Sequence, residues 1–182
     1  MGRRLRWLLL ALAVVVVAGT VAAVVIVQPK LSDARDRVDK AWSPLRPALD
    51  ARYRALAGVE LQLDAAGQAN RTVTVQLHDT LTSWEKLANV DDPGAQAPIA
   101  NDLEALALRV KANVAASAKL RADQPLGASI AAFDRAVVSP PGVAAYNAAV
   151  RAYQQERTGA IHHLVAAVFG YGARPELVIA GA

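Results

Sequence analysis

Hydrophobic positions follow two different rules along the chain. Trp7 to Val27 is an uncharged, almost wholly apolar run of 21 residues; beyond Gln28 apolar residues recur every three or four positions instead. At ~1.5 Å per residue the first run would make a helix about 31 Å long, close to the ~30 Å hydrocarbon thickness of a bilayer. It therefore predicts a single membrane-spanning helix. Val21-Ala22-Ala23 is a passable signal-peptidase site, but the run continues through Val24, Val25, Ile26 and Val27. A cleaved leader normally has an apolar part of only about 7–15 residues, so the length favours a retained anchor. Trp7 stands where an indole favours the headgroup region.

The rest of the pattern is helical. Gln28-Pro29 reads as a breaker, after which Ser32 can cap a helix whose exposed face carries the i,i+4 pairs Asp33/Arg37 and Asp36/Lys40. Ser43-Pro44 and Pro47 predict a kink or short break between Trp42 and Pro47. Leu49, Tyr53, Leu56, Val59 and Leu63 then form a stripe toward Gly67. A second stripe, Val73, Leu77, Leu81 and Trp84, predicts a helix from about Asn70 to Asn89, closed by Asp91-Asp92-Pro93-Gly94. A third helix begins near Pro98, with Ile99, Leu103, Leu106, Val110 and Val114 in line until Gln124-Pro125. Leu126 to Val138 makes a shorter piece, Ser139-Pro140-Pro141-Gly142 interrupts, and Val143 to Phe169 resumes with Tyr146, Val150, Tyr153, Ile161, Leu164 and Val168 on one face and Arg157 on the same line. Stripes of this kind bury one another best as an antiparallel bundle of about four long helices. The expected organisation is a membrane anchor at 1–28 and one all-α bundle domain at 29–182.

Charge changes this picture little. The formal net charge is +4 and the sequence pI about 9.7. Without Arg3, Arg4 and Arg6 the chain holds 17 basic against 16 acidic residues. That is a mixed surface without the clustered cations and interleaved aromatics of a nucleic-acid binder. The compact arginine cluster before the span is the usual form of a signal anchor, which places the N-terminus in the cytoplasm and the bundle outside. Lys30, Arg35, Arg37 and Lys40 flank the other side but are interleaved with Asp33, Asp36 and Asp39. The lack of cysteine fits an exported domain without disulfides. The span offers Gly19 and a few alanines rather than a Gly-x-x-x-Gly seam, which leaves homo-oligomerisation open.

Candidates for chemistry are sparse. His78 stands alone, and His162 and His163 are adjacent, so on a helix they point about 100° apart and do not chelate one ion together. The chain has no Gly-x-Ser-x-Gly elbow and no Gly-rich phosphate loop. The residues predict no catalytic, cofactor-binding or metal site. Trp42 and Trp84 read as core anchors. Tyr146, Asn147 and Arg151 are the polar positions of most interest, with Asn147 expected to bond a neighbouring helix and Arg151 a carboxylate such as Asp134. Phe169-Gly170-Tyr171-Gly172-Ala173-Arg174-Pro175 reads as a glycine-loosened tail that caps the bundle or, alternatively, offers a docking motif.

Two segments resemble a known family. Val38-Asp39-Lys40-Ala41-Trp42-Ser43, followed by Leu49 and Arg52-Tyr53, is similar to the Val-Asp-x-Ala-Trp-Ser segment of the LemA family. Tyr146-Asn147-Ala148-Ala149-Val150-Arg151-Ala152-Tyr153 and Phe169-Gly170-Tyr171 are similar to its Tyr-Asn-x-x-Val-x-x-Tyr and Phe-Gly-aromatic motifs. The resemblance implies a membrane-anchored helical bundle in a bacterial envelope, without a catalytic activity to carry over. It singles out Trp42, Tyr146, Asn147, Arg151, Tyr153, Phe169, Gly170 and Tyr171 as family-motif or interaction positions. The chain departs from the family at Arg54-Ala55-Leu56-Ala57-Gly58-Val59, and again around Lys119 to Gly127. The function expected is a protein-interaction or scaffold module whose partners are the bilayer, through Trp7 to Val27, and another envelope protein. The alternative is a bundle that holds a small apolar ligand or lipid, or an envelope hydrolase built from dispersed carboxylates.

Overall fold

In the computed structural model, which describes residues 24–179, the first helix runs unbroken through the expected breaker at Gln28-Pro29. This helix, α1, covers 24–42 among the described residues. Proline costs it one backbone hydrogen bond, but the buried stripe Val27, Leu31, Ala34, Val38 and Trp42 continues across the proline at helical spacing, and its packing outweighs that loss. Ser32 is accordingly interior rather than a cap. Residues 7–23, most of the run read as a membrane span, lie outside the described residues. Among the described residues no helix is long and apolar enough to cross a membrane.

All regular structure among the described residues is helical. After the expected break, a turn at 43–45, come α2 (Arg46–Ala65), α3 (Thr72–Lys86), α4 (Pro93–Ala116), the short α5 (Ala118–Arg121), α6 (Gln124–Arg135), α7 (Pro140–Glu156) and α8 (Ala160–Val168). Helix α4 starts earlier than its apolar stripe indicates, because Asp92 caps it by accepting from the Gly94 amide at 3.0 Å and Pro93 occupies the first turn. Ser139 likewise caps α7, accepting from Gly142 N at 3.3 Å, so Pro140 and Pro141 begin a helix.

The helices form two sections. In the distal one α2 packs on α3 and α6, and α3 packs on α4. The Tyr53 ring meets Trp84 edge-on at 4.8 Å. In the proximal section α1 runs beside α7 in the opposite direction, its final residue Trp42 stacking at a tilt on Tyr146 near the start of α7, 5.0 Å between centroids. The expected continuous helix from Val143 to Phe169 is instead broken. Gly159 sits at φ 108°, a left-handed value open to glycine, and the break rotates α8 relative to α7. Val165 and Ala166 turn inward as a result, while Ile161, Leu164 and Val168, expected on the buried face, are exposed.

Arginines of α2 tie the distal helices together at the seam between sections. Arg46 donates to the carbonyls of Leu87, Ala88 and Val90, in the turn that follows α3. Arg52, buried, makes a two-pronged contact with Glu104 of α4, Nε to Oε1 at 2.6 Å and Nη2 to Oε2 at 2.9 Å. Its Nη1 donates to the carbonyls of Phe133 and Ala136 at the end of α6, and the guanidinium carbon lies 4.0 Å from the Phe133 ring centroid. Removing one member of such a pair strands the other charge in the core. Glu104→Gln is expected to lower unfolding free energy by roughly 3–5 kcal/mol, read as a shift of the urea midpoint at unchanged slope; a loss within scatter would show that the seam does not depend on the pair.

Candidate functional site

The polar motif positions converge on one feature, the extended segment that follows α8. Residues 171–179 form no helix or strand. They run back along α7 in the proximal section, with Tyr171, Arg174, Leu177 and Ile179 buried. An extended chain without a strand partner must satisfy its amides and carbonyls with side chains, and α7 supplies most of them. Asn147 grips Leu177 on both sides, Nδ2 donating to its carbonyl at 2.9 Å and Oδ1 accepting from its amide at 2.8 Å. From α4, Asn101 does the same one peptide apart, Nδ2 donating to the Glu176 carbonyl at 2.9 Å and Oδ1 accepting from the Val178 amide at 2.8 Å. Tyr146 Oη donates to the Pro175 carbonyl at 3.0 Å, Gln154 Nε2 to that of Arg174 at 2.9 Å, and Tyr153 Oη to that of Gly172 at 2.9 Å. Burial, the largest effect on both tyrosines, raises their pKa and keeps the phenols protonated as donors.

Charge fixes the middle of the segment. The Arg174 side chain, 7% exposed, lies between Asp92 at the start of α4 and Asp39 on α1, with 3.5 Å to the latter. Its close contact with Asp92 explains Gly94, where a Cβ would collide with the guanidinium. Burial pushes the Asp39 carboxyl up, against the opposing pull of Arg174 and then Arg35. Next to this junction Trp42 Nε1 donates to Gln96 Oε1 at 2.7 Å, and Gln96 Nε2 passes the connection on to the carbonyls of Leu87 and Val90. The start of the segment is tied to α1, Gln28 Nε2 donating to Tyr171 Oη at 3.1 Å.

Of the positions singled out in the sequence, Tyr146, Asn147, Tyr153 and Tyr171 bind or belong to this segment. Arg151 reaches Glu176 at 2.8 Å rather than Asp134, which pairs with Lys111. Asn147 bonds the segment rather than a neighbouring helix. Trp42 is fully buried beside Tyr146, Gly170 turns the chain out of α8 at φ 70°, and Phe169 is half exposed and stands apart. Sequence reasoning missed Asn101, Gln154, Gln96 and Arg174. A carboxamide beside the apolar stripe of α4, as at Gln96 and Asn101, was the available signal. Arg174 carried none, since its partners lie 82 and 135 positions away.

Other concavities are of a different kind. The larger, about 590 Å³, opens between Leu63, the start of α3 and the end of α4, and its wall carries Arg71, Arg109 and Lys119. That polar wall does not suit an apolar ligand. Another, about 430 Å³, lies between α2 and α3 along Tyr53, Leu81 and Trp84, rimmed by Asp50, Arg54 and Glu85. Among the described residues no three His, Cys, Asp or Glu side chains gather as metal ligands.

Fold and site together define an all-α bundle that clamps its own extended C-terminal segment. Comparison with family models, curated proteins and solved structures gives no match to the chain.

Asn147→Ala leaves the buried amide and carbonyl of Leu177 without partners. The expected cost is about 1–3 kcal/mol, with hydrogen exchange at Leu177 and Val178 accelerated well beyond that of α4 amides; uniform acceleration across the bundle would contradict a local clamp. Because the Asp39 midpoint in the folded protein lies above the ordinary 3.8, its ionised form is penalised at neutral pH. That penalty is relieved as pH falls through the raised midpoint, so Asp39 gains stability on acidification rather than losing it. A carboxyl-carbon NMR titration is expected to place Asp39 above 3.8; a midpoint below would mean that Arg174 outweighs burial.

Proposed function

We propose that the chain is a membrane-anchored scaffold of the LemA type, held at a bacterial envelope membrane by Trp7 to Val27 and recognising another envelope protein without performing catalysis. The observation that supports this reading is the use made of the motif side chains. Tyr146, Asn147 and Tyr153 bind main-chain groups of residues 172–177, and Arg151 binds Glu176. This is recognition chemistry directed at a polypeptide. The LemA-like positions thereby build a rigid body rather than a reacting centre. The continuity of α1 through Pro29 further supports an anchor that enters the bundle as one helix, with no linker to loosen it.

Under this reading the outer face of α7, where Gln155 and Ala152 are exposed, is a surface free to meet a partner. A photo-crosslinking residue at Gln155 of the full chain, in cells, is expected to give one recurrent adduct with an envelope protein, lost when Ala152→Arg is added; the absence of any recurrent adduct there, at Ala152 or at Ala145 would overturn the scaffold reading. The chain is naturally free of cysteine, so single cysteines at Ala112 and Gly2 report topology. Labelling of Ala112→Cys alone by an impermeant reagent is expected, and labelling of Gly2→Cys alone would place the bundle in the cytoplasm.

A further inference from the structure

Helix α8 carries an apolar stripe that the bundle leaves uncovered. Ile161, Leu164 and Val168 are 53%, 57% and 71% exposed, and their spacing sets them on one face. The inward face, Val165 and Ala166, is already packed in the core. Single exposed apolar residues such as Leu61 are ordinary, but a cluster is not. Of the twelve large apolar side chains exposed among the described residues, six are Val25, Ile26, Ile161, Leu164, Val168 and Phe169, all on α8, its C-cap or the first described turn of α1.

These two places are neighbours. The Tyr171 amide donates to the Ala166 carbonyl of α8 at 2.8 Å, and the Tyr171 hydroxyl accepts from Gln28 of α1 at 3.1 Å. The last turn of α8 is thus held beside the first described turns of α1. Nine residues make a helix of about 14 Å, less than half the hydrocarbon thickness, so α8 is too short to cross a bilayer. It has a one-sided apolar stripe, as a helix that lies in the interface does, with exposed His163 on the opposite side. Left-handed glycines at both ends, Gly159 at φ 108° and Gly170 at φ 70°, turn the chain out of α7 and back into the C-terminal segment, which lets α8 take its own direction.

We propose that α8 is an interfacial helix, lying on the membrane surface with Ile161, Leu164 and Val168 among the acyl chains beside the headgroups. It gives the bundle a second lipid contact next to the anchor. The inference rests on the reading of Trp7 to Val27 as a membrane span, and the test separates the two. The full chain is reconstituted in phosphatidylcholine and phosphatidylglycerol vesicles with single spin-labelled cysteines at Ile161, Leu164 or Val168, at Val16 within the span and at Leu61 in the distal section. Accessibility to oxygen, which partitions into lipid, is compared with that to a water-soluble nickel chelate. The expected result is an oxygen-to-nickel ratio several-fold higher at the three α8 sites than at Leu61, and highest at Val16. If Val16 lies in lipid but the α8 sites match Leu61, the interfacial helix is overturned and the anchor stands. If the α8 sites are shielded from both reagents, a protein surface covers them and the proposal falls. If Val16 itself is open to nickel, anchor and interfacial helix fall together.

Discussion

Two antiparallel helices cannot bury their apolar faces without further elements, and in the proximal section the short α8 adds only Val165 and Ala166 to what α1 and α7 bury. Residues 171–179 supply what is missing, placing Tyr171, Leu177 and Ile179 in the core alongside Leu31, Val38, Val150 and Tyr153. An extended chain, however, brings one amide and one carbonyl per residue into a space without a strand partner, and each buried group left unpaired costs about 1–3 kcal/mol. The two asparagines, Asn101 and Asn147, offer a donor and an acceptor on one planar group, the hydrogen-bonding surface of a peptide unit, and act in place of a neighbouring strand. Tyr146, Tyr153 and Gln154 satisfy the carbonyls of Pro175, Gly172 and Arg174. The identities of these side chains follow from that single requirement.

The same logic governs the seam. The rods formed by α1 with α2 and by α6 with α7 are interrupted at one level, by the turn at 43–45 and by residues 136–139. The Cδ2 atom of Leu45 lies close to where a Cβ on Gly142 would stand. Where helices end, carbonyls need partners from outside, and α2 presents an arginine at two such places: Arg46 just past α3, Arg52 at the end of α6. Arg52 is buried and needs a counter-charge, which Glu104 provides. Arg174 is the proximal counterpart, a buried cation between the carboxylates of Asp39 and Asp92. One cation on each side of the seam therefore ties together elements distant in sequence.

The helices and most of their buried faces were legible in the sequence because they obey local spacing. Leu49, Tyr53, Leu56, Val59 and Leu63 are buried as their stripe requires, as are Leu77, Leu81 and Trp84. Pro29 was misread because a proline penalty is a local quantity, whereas the stripe crossing it draws on packing against distant partners. The break at Gly159 was missed for the opposite reason: apolar residues continue at helical spacing through a point where the backbone turns left-handed. At the site, the spacing of Tyr146, Asn147 and Tyr153 showed a shared helix region but not its occupant. Contacts between α7 and a segment without periodicity leave no repeating signal, so Asn101 and Arg174 could not be paired with their partners in advance.

A lone spanning helix would fix the bundle to a membrane at one point and along one axis, while leaving rotation about that axis free. The internal connections of the proximal section decide whether such rotation stays local. Gln28 is bonded to Tyr171, and Asp39 to Arg174. Arg174 in turn reaches Asp92 at the start of α4, and Asn101 holds the segment from the same helix. A turn of α1 cannot proceed without moving the C-terminal segment and, through it, the distal section. With α8 resting on lipid, rotation would also lift Ile161, Leu164 and Val168 out of an apolar medium, which the hydrophobic effect opposes in proportion to the area exposed. Two contacts with the bilayer and one clamped segment would then hold the bundle at a set orientation, and a partner would meet the same face of α7 each time.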